Sequence, residues 1–253
     1  MTLCRAARAS CDVVIASVFV NPVQFGPNED YEKYPRQFAA DCEKLEAEGV
    51  DAVFHPAPEE MYPEGYGTYV NVESDITKVL CGARRPGHFR GVATVVTKLM
   101  NLTRADRAFF GQKDAQQVAV VRRFVADLNL PVEVVMVPIC REESGLARSS
   151  RNVYLSPAER EAALVLSRSL RKAKAAFDGG ERSAEQLKEI TRAELATEPL
   201  ARVDYVDLYT FPALQPVAEV TETSLLAIAV YIGKTRLIDN VIFTPSAEKG
   251  AAK

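Results

Sequence analysis

Apolar positions along this chain follow two regimes, and the change falls after the apolar run that ends at Val137. The run from Asp12 to Val20 is almost unbroken in apolar character, which predicts a parallel strand buried on both faces. Phe38, Cys42 and Leu45 share one face of a helix expected over 35–49, with Gly49 as its C-cap. Short strands are expected over 51–54 and 68–72. Val92, Val95, Val96 and Leu99 repeat at i, i+3, i+4, i+7 and predict a helix over 91–101. A strand over 107–110 follows. Next come a helix over 115–128, with Val118, Val121, Val125 and Leu128 inward, and a strand over 132–137. Strands and helices that alternate in this way predict an α/β fold with a mainly parallel sheet.

Beyond that point the rhythm changes. Ser156-Pro157-Ala158-Glu159 reads as a capping box with proline at the first helical position, opening a helix to Asp178 that Gly179-Gly180 ends. Ser183 opens another, expected to reach Thr197, and strands are expected over 203–208, 225–231 and 235–241. This is the pattern of a second, smaller α+β domain. The expected division is 1–139 and 140–246, and the tail after Pro245 is expected to fray.

Composition narrows the classes. Hydrophobic content of 47% with 26% charged residues suits a globular protein with an ample core. A net charge of −3, with no basic run, argues against nucleic acid as a partner. No apolar run approaches the roughly 20 residues of a membrane span. The opening residues are too polar for a signal-peptide core. Five scattered cysteines without a C-x-x-C pair fit reduced thiols, hence a cytoplasmic location. Two histidines and no Cys/His cluster argue against structural zinc.

Four segments carry candidate chemistry. In Phe109-Phe110-Gly111-Gln112-Lys113-Asp114-Ala115-Gln116-Gln117, a strand breaks at glycine and a helix begins, so backbone N–H groups and the positive end of a helix dipole become available to phosphate. Lys113 adds a point charge and Asp114 an acceptor for hydroxyls. Phe19-Val20-Asn21-Pro22-Val23-Gln24-Phe25 lies at the C-terminal end of the first strand, the edge where doubly wound sheets bind ligands. Asn21 and Gln24 there suit a polar, non-phosphate substrate, although taken alone Asn21-Pro22 reads more readily as a plain turn. Gly82-Ala83-Arg84-Arg85-Pro86-Gly87-His88-Phe89-Arg90-Gly91 sets cations before a helix N-terminus, where the dipole opposes them. A bound anion would resolve that conflict, and a solvated charge run is the alternative. Gly145-Leu146-Ala147-Arg148-Ser149-Ser150-Arg151-Asn152 offers hydroxyls and guanidinium forks to a triphosphate, or serves as a polar linker.

Taken together and in this order, these segments resemble the pantoate–beta-alanine ligase family. The resembling strings are F-V-N-P-x-Q-F, Y-P-R, R-P-G-H-F-R-G, F-F-G-x-K-D-x-Q-Q, S-S-R-N-x-Y-L and R-L-I-D-N, and they span about residues 3–243. The resemblance implies a Rossmann-like N-terminal domain with a smaller C-terminal lid, a magnesium-dependent homodimer, and a two-step reaction. ATP and pantoate give a pantoyl adenylate and pyrophosphate; beta-alanine then gives pantothenate and AMP. It implies an ATP site at Gly111, Gln112, Lys113, Asp114, the Cys140 backbone, Arg148, Ser149, Ser150 and Arg151. It implies pantoate or beta-alanine contacts at Asn21, Gln24, Gln117, Tyr34, Arg85 and His88, with Tyr34 covering the pocket. Lys113, Ser149, Ser150, Arg151 and His88 would carry the catalysis, and Asp41 would stand near magnesium. Such chemistry needs preorganised cations and N–H donors rather than a protein nucleophile.

The chain also departs from the family pattern. Members carry a strand and an H-x-G-H motif that would end just before Met1, and neither His55 nor His88 stands in for that motif by position. In a sheet of order 3-2-1-4-5-6 the missing strand is central, so a gap is expected between the strands starting near Asp12 and Arg107. The expectation is that Met1 is internal to a longer natural chain. The competing expectations are a catalytically silent binder of pantoate or nucleotide, and another nucleotidyl transferase on the same fold. Gln112 replaces a frequent glutamate, and Arg148 a frequent methionine or leucine; both changes favour an anion.

Overall fold

Backbone pairing in the first part of the chain is parallel throughout, as its apolar runs require. The computed structural model describes residues 1–27 and 29–245, so the expectation for the tail beyond Pro245 lies outside the described residues. The chain divides into two units, Met1–Cys140 and a second beginning at Arg141.

The first unit runs α1 (Thr2–Arg8), β1 (Ile15–Ser17), α2 (Phe38–Ala47), β2 (Ala52–Phe54), α3 (Pro58–Met61), α4 (Leu80–Arg84), α5 (His88–Thr103), β3 (Arg107–Gly111), α6 (Ala115–Asp127) and β4 (Glu133–Val137). β1 pairs with β2, Ile15 opposite Ala52, and β3 with β4, Arg107 opposite Glu133. These are two separate two-stranded sheets. β1 and β3, the strands between which a gap was expected, are not paired with each other. Val14 and Val18 turn their polar groups to the β2 side, accepting from Asp51 N at 2.9 Å and donating to Phe54 O at 3.0 Å. By the alternation of a strand, Ile15 and Ser17 direct theirs to the opposite edge.

β1 is much shorter than the strand expected over 12–20, and it is not buried on both faces: Val13 is 64% and Ile15 43% exposed. The reason is local. The carbonyls of Cys11 and Asp12 are held by the Arg8 guanidinium, β2 offers only three partners, and Asn21-Pro22 turns the chain away. The strand expected over 68–72 is also absent, because Val70 N donates to Thr94 Oγ1 on α5 at 3.0 Å rather than to a ladder. Val92, Val118, Val121 and Phe124 form the apolar centre of this unit on α5 and α6, whereas Leu128, expected inward, sits past the end of α6 and is 47% exposed.

The second unit runs α7 (Pro157–Ala162), α8 (Leu164–Asp178), α9 (Ala184–Leu195), β5 (Ala201–Thr210), β6 (Ser224–Ile232) and β7 (Thr235–Phe243). The capping box forms as read: Ser156 N donates to Glu159 Oε2 at 2.9 Å and Glu159 N to Ser156 Oγ at 3.3 Å. The helix expected to run unbroken to Asp178 is interrupted at Ala163. The strands form one antiparallel sheet in the order β5-β6-β7. Its apolar face meets α8 and α9 through Leu166, Leu170, Leu187, Leu195, Leu226 and Ile228, with Phe177 stacked on Phe243 at 4.8 Å. Each such side chain contributes roughly 1.5–3 kcal/mol on burial. The molecule is thus a mixed α/β protein with small parallel sheets first and an antiparallel sheet last.

Candidate functional site

A tight 3-10 turn, Pro22–Gln24, follows β1 and rests on the first turn of α5. Close approach is possible because position 91 is glycine: a Cβ there would lie 2.4 Å from Val23 O and 2.6 Å from Gln24 Cα. Two side chains fasten this contact. Asn21, only 2% exposed, donates from Nδ2 to Gly91 O at 3.1 Å and to Gln24 Oε1 at 3.1 Å. His88, at the start of α5, donates from Nδ1 to Gln24 O at 2.9 Å. Gly87 precedes it in the left-handed region, φ 80°, where a side chain would be strained.

One cation of the basic loop, Arg85, is paired within the protein. Arg85 clasps Glu29 with Nε to Oε1 at 2.7 Å and Nη2 to Oε2 at 2.5 Å, and its Nη1 donates to His88 Nε2 at 2.9 Å. Both nitrogens of His88 are therefore engaged, one donating and one accepting, which is the neutral tautomer. Burial, reinforced by the neighbouring Arg85 charge, pulls its pKa down to about 4 against the opposing pull of the Gln24 carbonyl, Glu29 and Asp114. An anion was the expected answer to the cations near this helix terminus. For Arg85 the structure supplies the Glu29 carboxylate instead, and Arg85 and His88 together frame the Gln24 turn.

β3 ends at Gly111, and the 3-10 turn Gln112–Asp114 leads into α6 as the sequence suggests. Lys113 Nζ lies 3.7 Å from Asp114 Oδ1, and Asp114 is near enough to His88 to act on its charge. The two glutamines that follow do different work. Gln116 is 7% exposed and clamps the 76–81 segment, accepting from Cys81 N at 2.9 Å and donating to Ile76 O at 2.8 Å and Val79 O at 2.7 Å. Gln117 is half-buried and none of these bonds is its own. Tyr34 packs edge-on against Phe25 at 5.7 Å, directly after Gln24 in sequence.

Asp41 sits on α2 beside Lys44, Nζ to Oδ1 3.6 Å. Among the described residues no group of three His, Cys, Asp or Glu side chains could hold a metal. Cys140 is exposed and is the last residue of the first unit.

In the second unit, Gly145 adopts φ 96° and allows the hairpin-like return that bridges Arg141 to Ala147. Asn152, 4% exposed, donates to Glu142 Oε1 at 3.2 Å and Ala147 O at 3.1 Å and so fixes the turn from below. Ser149 caps the 3-10 turn Ser150–Tyr154 by accepting from Arg151 N at 3.3 Å, while Arg148 and Ser150 are exposed. The turn thus carries two guanidinium groups and two hydroxyls on a backbone fixed by a buried amide.

Sequence reading missed one side chain at the first unit's site. Tyr62, just past α3, donates its hydroxyl to Asn21 Oδ1 at 2.7 Å. The signal was the spacing of Tyr62, Tyr66 and Tyr69 around Pro63, Gly65 and Gly67, an aromatic series on a loop.

Comparisons with known proteins show the family. The family model described as pantoate-beta-alanine ligase matches residues 1–242. Pantothenate synthetase of Pelotomaculum thermopropionicum is 57% identical over 242 residues, covering 96% of this chain and 86% of that protein. The Carboxydothermus hydrogenoformans enzyme is 54% identical over the same span, again 96% and 86%. The crystal structure of pantothenate synthetase from Thermus thermophilus superposes with a TM-score of 0.91 at 48% identity, covering 95% of this chain and 87% of that one. Pantoate-beta-alanine ligase from Francisella tularensis, solved with a beta-gamma ATP compound and beta-alanine, gives 0.76 at 33% identity, covering 95% and 83%. The chain belongs to the pantoate–beta-alanine ligase family.

Proposed function

We propose that this protein condenses pantoate with beta-alanine at the expense of ATP, through a pantoyl adenylate, and releases AMP and pyrophosphate. The observation that carries the reading is the presence in one unit of the Gln24 amide, oriented by Asn21, and a strand–glycine–lysine turn at Gly111–Asp114. In the first step a pantoate carboxylate oxygen attacks the α-phosphorus and the bond to pyrophosphate breaks. In the second, the beta-alanine amine attacks the acyl carbon, AMP leaves, and the amine gives up a proton.

Negative charge grows on the phosphates in the first step. Lys113 and the N–H groups opening α6 are assigned to stabilise it, which fixed donors do without reorganising during the reaction. Asp114 is assigned to the ribose hydroxyls and Gln112 and the Cys140 backbone to the nucleotide. Arg148, Ser149, Ser150 and Arg151 are read as a second phosphate-binding element, with Asn152 holding the turn. Gln24 and Gln117 are assigned to pantoate, with Tyr34 beside them, and Arg85 and His88 support that pocket by holding the Gln24 turn. ATP is taken as its magnesium complex, the metal arriving with the triphosphate. A cytoplasmic homodimer fits the five free cysteines and the family; among the described residues no helix is long and apolar enough to cross a membrane.

Relatives that bear the synthetase name at 54 and 57% identity favour turnover over silent binding. The direct test is product stoichiometry: one pantothenate, one AMP and one pyrophosphate per ATP over many turnovers, with pantothenate and AMP requiring both acids. ADP and phosphate as products, or turnover without beta-alanine, would refute it.

A further inference from the structure

Two hydrogen bonds run from Tyr62 through Asn21 to Gln24, and a third, from Asn21 to a backbone carbonyl, fixes their direction. Gly91 O can only accept, so the atom of Asn21 that lies 3.1 Å from it must be the amide nitrogen. Turning the amide over would set two oxygens against each other. With Nδ2 so placed, Oδ1 faces the Tyr62 hydroxyl, which donates to it at 2.7 Å. The second proton on Nδ2 goes to Gln24, which must offer Oε1, at 3.1 Å. Gln24 therefore has its own nitrogen left to present, and it presents donors.

Tyr62 is itself held firmly. Its ring meets Tyr66 edge-on at 5.1 Å and Phe19 at 6.4 Å, and the Lys98 ammonium on α5 lies 5.8 Å from it and 4.8 Å from Tyr66. Arg90 lies 4.0 Å over Tyr69, farther along the same loop. Two cations of α5 thus pin the loop that carries the hydroxyl. Asn21 is too buried for water to replace that donor easily, so loss of the hydroxyl orphans Oδ1 and frees the amide to rotate.

We propose that Tyr62 is a positioning residue for the acid substrate: through Asn21 it holds the Gln24 amide with its N–H donors toward a carboxylate or hydroxyl oxygen. This rests on the assignment of Gln24 to pantoate. The experiment is a steady-state cycle of Tyr62→Phe, Gln24→Ala and the double variant in the full chain, with KM for pantoate, beta-alanine and ATP measured separately. Removing one buried hydrogen-bond donor is expected to raise the pantoate KM about 5–10-fold, with kcat and the other two KM values within about twofold of the parent. In the Gln24→Ala background Tyr62→Phe is expected to add nothing. Additive effects, an unchanged pantoate KM in Tyr62→Phe, or equal losses for all three substrates would overturn the relay. An unchanged pantoate KM in Gln24→Ala would instead overturn the assignment of Gln24 beneath it.

Discussion

Gly91 on α5 and Val23 in the 22–24 turn are so close that a Cβ at position 91 would lie 2.4 Å from the Val23 carbonyl oxygen. Neither partner can yield cheaply, since both contacts are to backbone. Gly91→Ala is therefore expected to cost about 1–3 kcal/mol, read as a shift in denaturant midpoint. It is also expected to raise the pantoate KM, because Gln24 moves with the turn. Unchanged stability would mean that the turn is not clamped as described.

His88 gives a pH signature. Its folded pKa is about 4 against an ordinary value of 6.5, so between those values the unfolded chain binds the proton and the folded chain does not. Stability contributed by neutral His88 is fully present above pH 6.5 and is lost as the pH falls toward 4. The loss approaches about 3 kcal/mol at the lower end. Denaturant midpoints at several pH values should fall more gently between pH 6.5 and 4.5 in His88→Gln than in the parent. Parallel curves would show that His88 does not carry this dependence.

Gln116 and Gln117 are neighbours with opposite expectations. Gln116→Leu leaves Cys81 N, Ile76 O and Val79 O without their partner and is expected to cost about 2–4 kcal/mol. Gln117→Ala is expected to leave thermal stability within about 0.5 kcal/mol and to weaken pantoate binding. Thermal melts with pantoate titrations on both variants distinguish the two, and a reversed pattern would exchange their roles.

Arg85→Lys tests the frame around Glu29. A lysine keeps the charge but loses the two-pronged contact and the donor to His88. A loss of about 1–3 kcal/mol is expected, together with a rise in the His88 pKa followed by NMR, since the lost Nη1 donor is what holds His88 Nε2 unprotonated. A variant as stable as the parent, with an unmoved His88 titration, would contradict that frame.

Local chemistry was the legible part of this sequence. Ser156 and Glu159 cap their helix because each needs only a partner three residues away, and Gly49 takes φ 73° just past α2 for an equally local reason. The strand over 12–20 was over-read because its apolar run says nothing about how many partners β2 supplies. Only the family resemblance separated Gln117 from Gln116; the residues themselves did not, since burial on α6 depends on what packs from 76–81. Arg85 and His88 suggested a ligand because the partner of Arg85, Glu29, lies 56 positions away and that of His88, the Gln24 carbonyl, 64. Tyr62 was invisible for the same reason: its link to Asn21 spans 41 positions.

The measurement closest to the central claim is pantoate-dependent exchange of labelled pyrophosphate into ATP, without beta-alanine, in the parent chain, Lys113→Ala and Gln24→Ala. Exchange that requires pantoate is expected, falling at least about a hundredfold in Lys113→Ala and about tenfold in Gln24→Ala at subsaturating pantoate. Exchange indifferent to pantoate, or undiminished in both variants, would contradict an adenylating site built on these two residues.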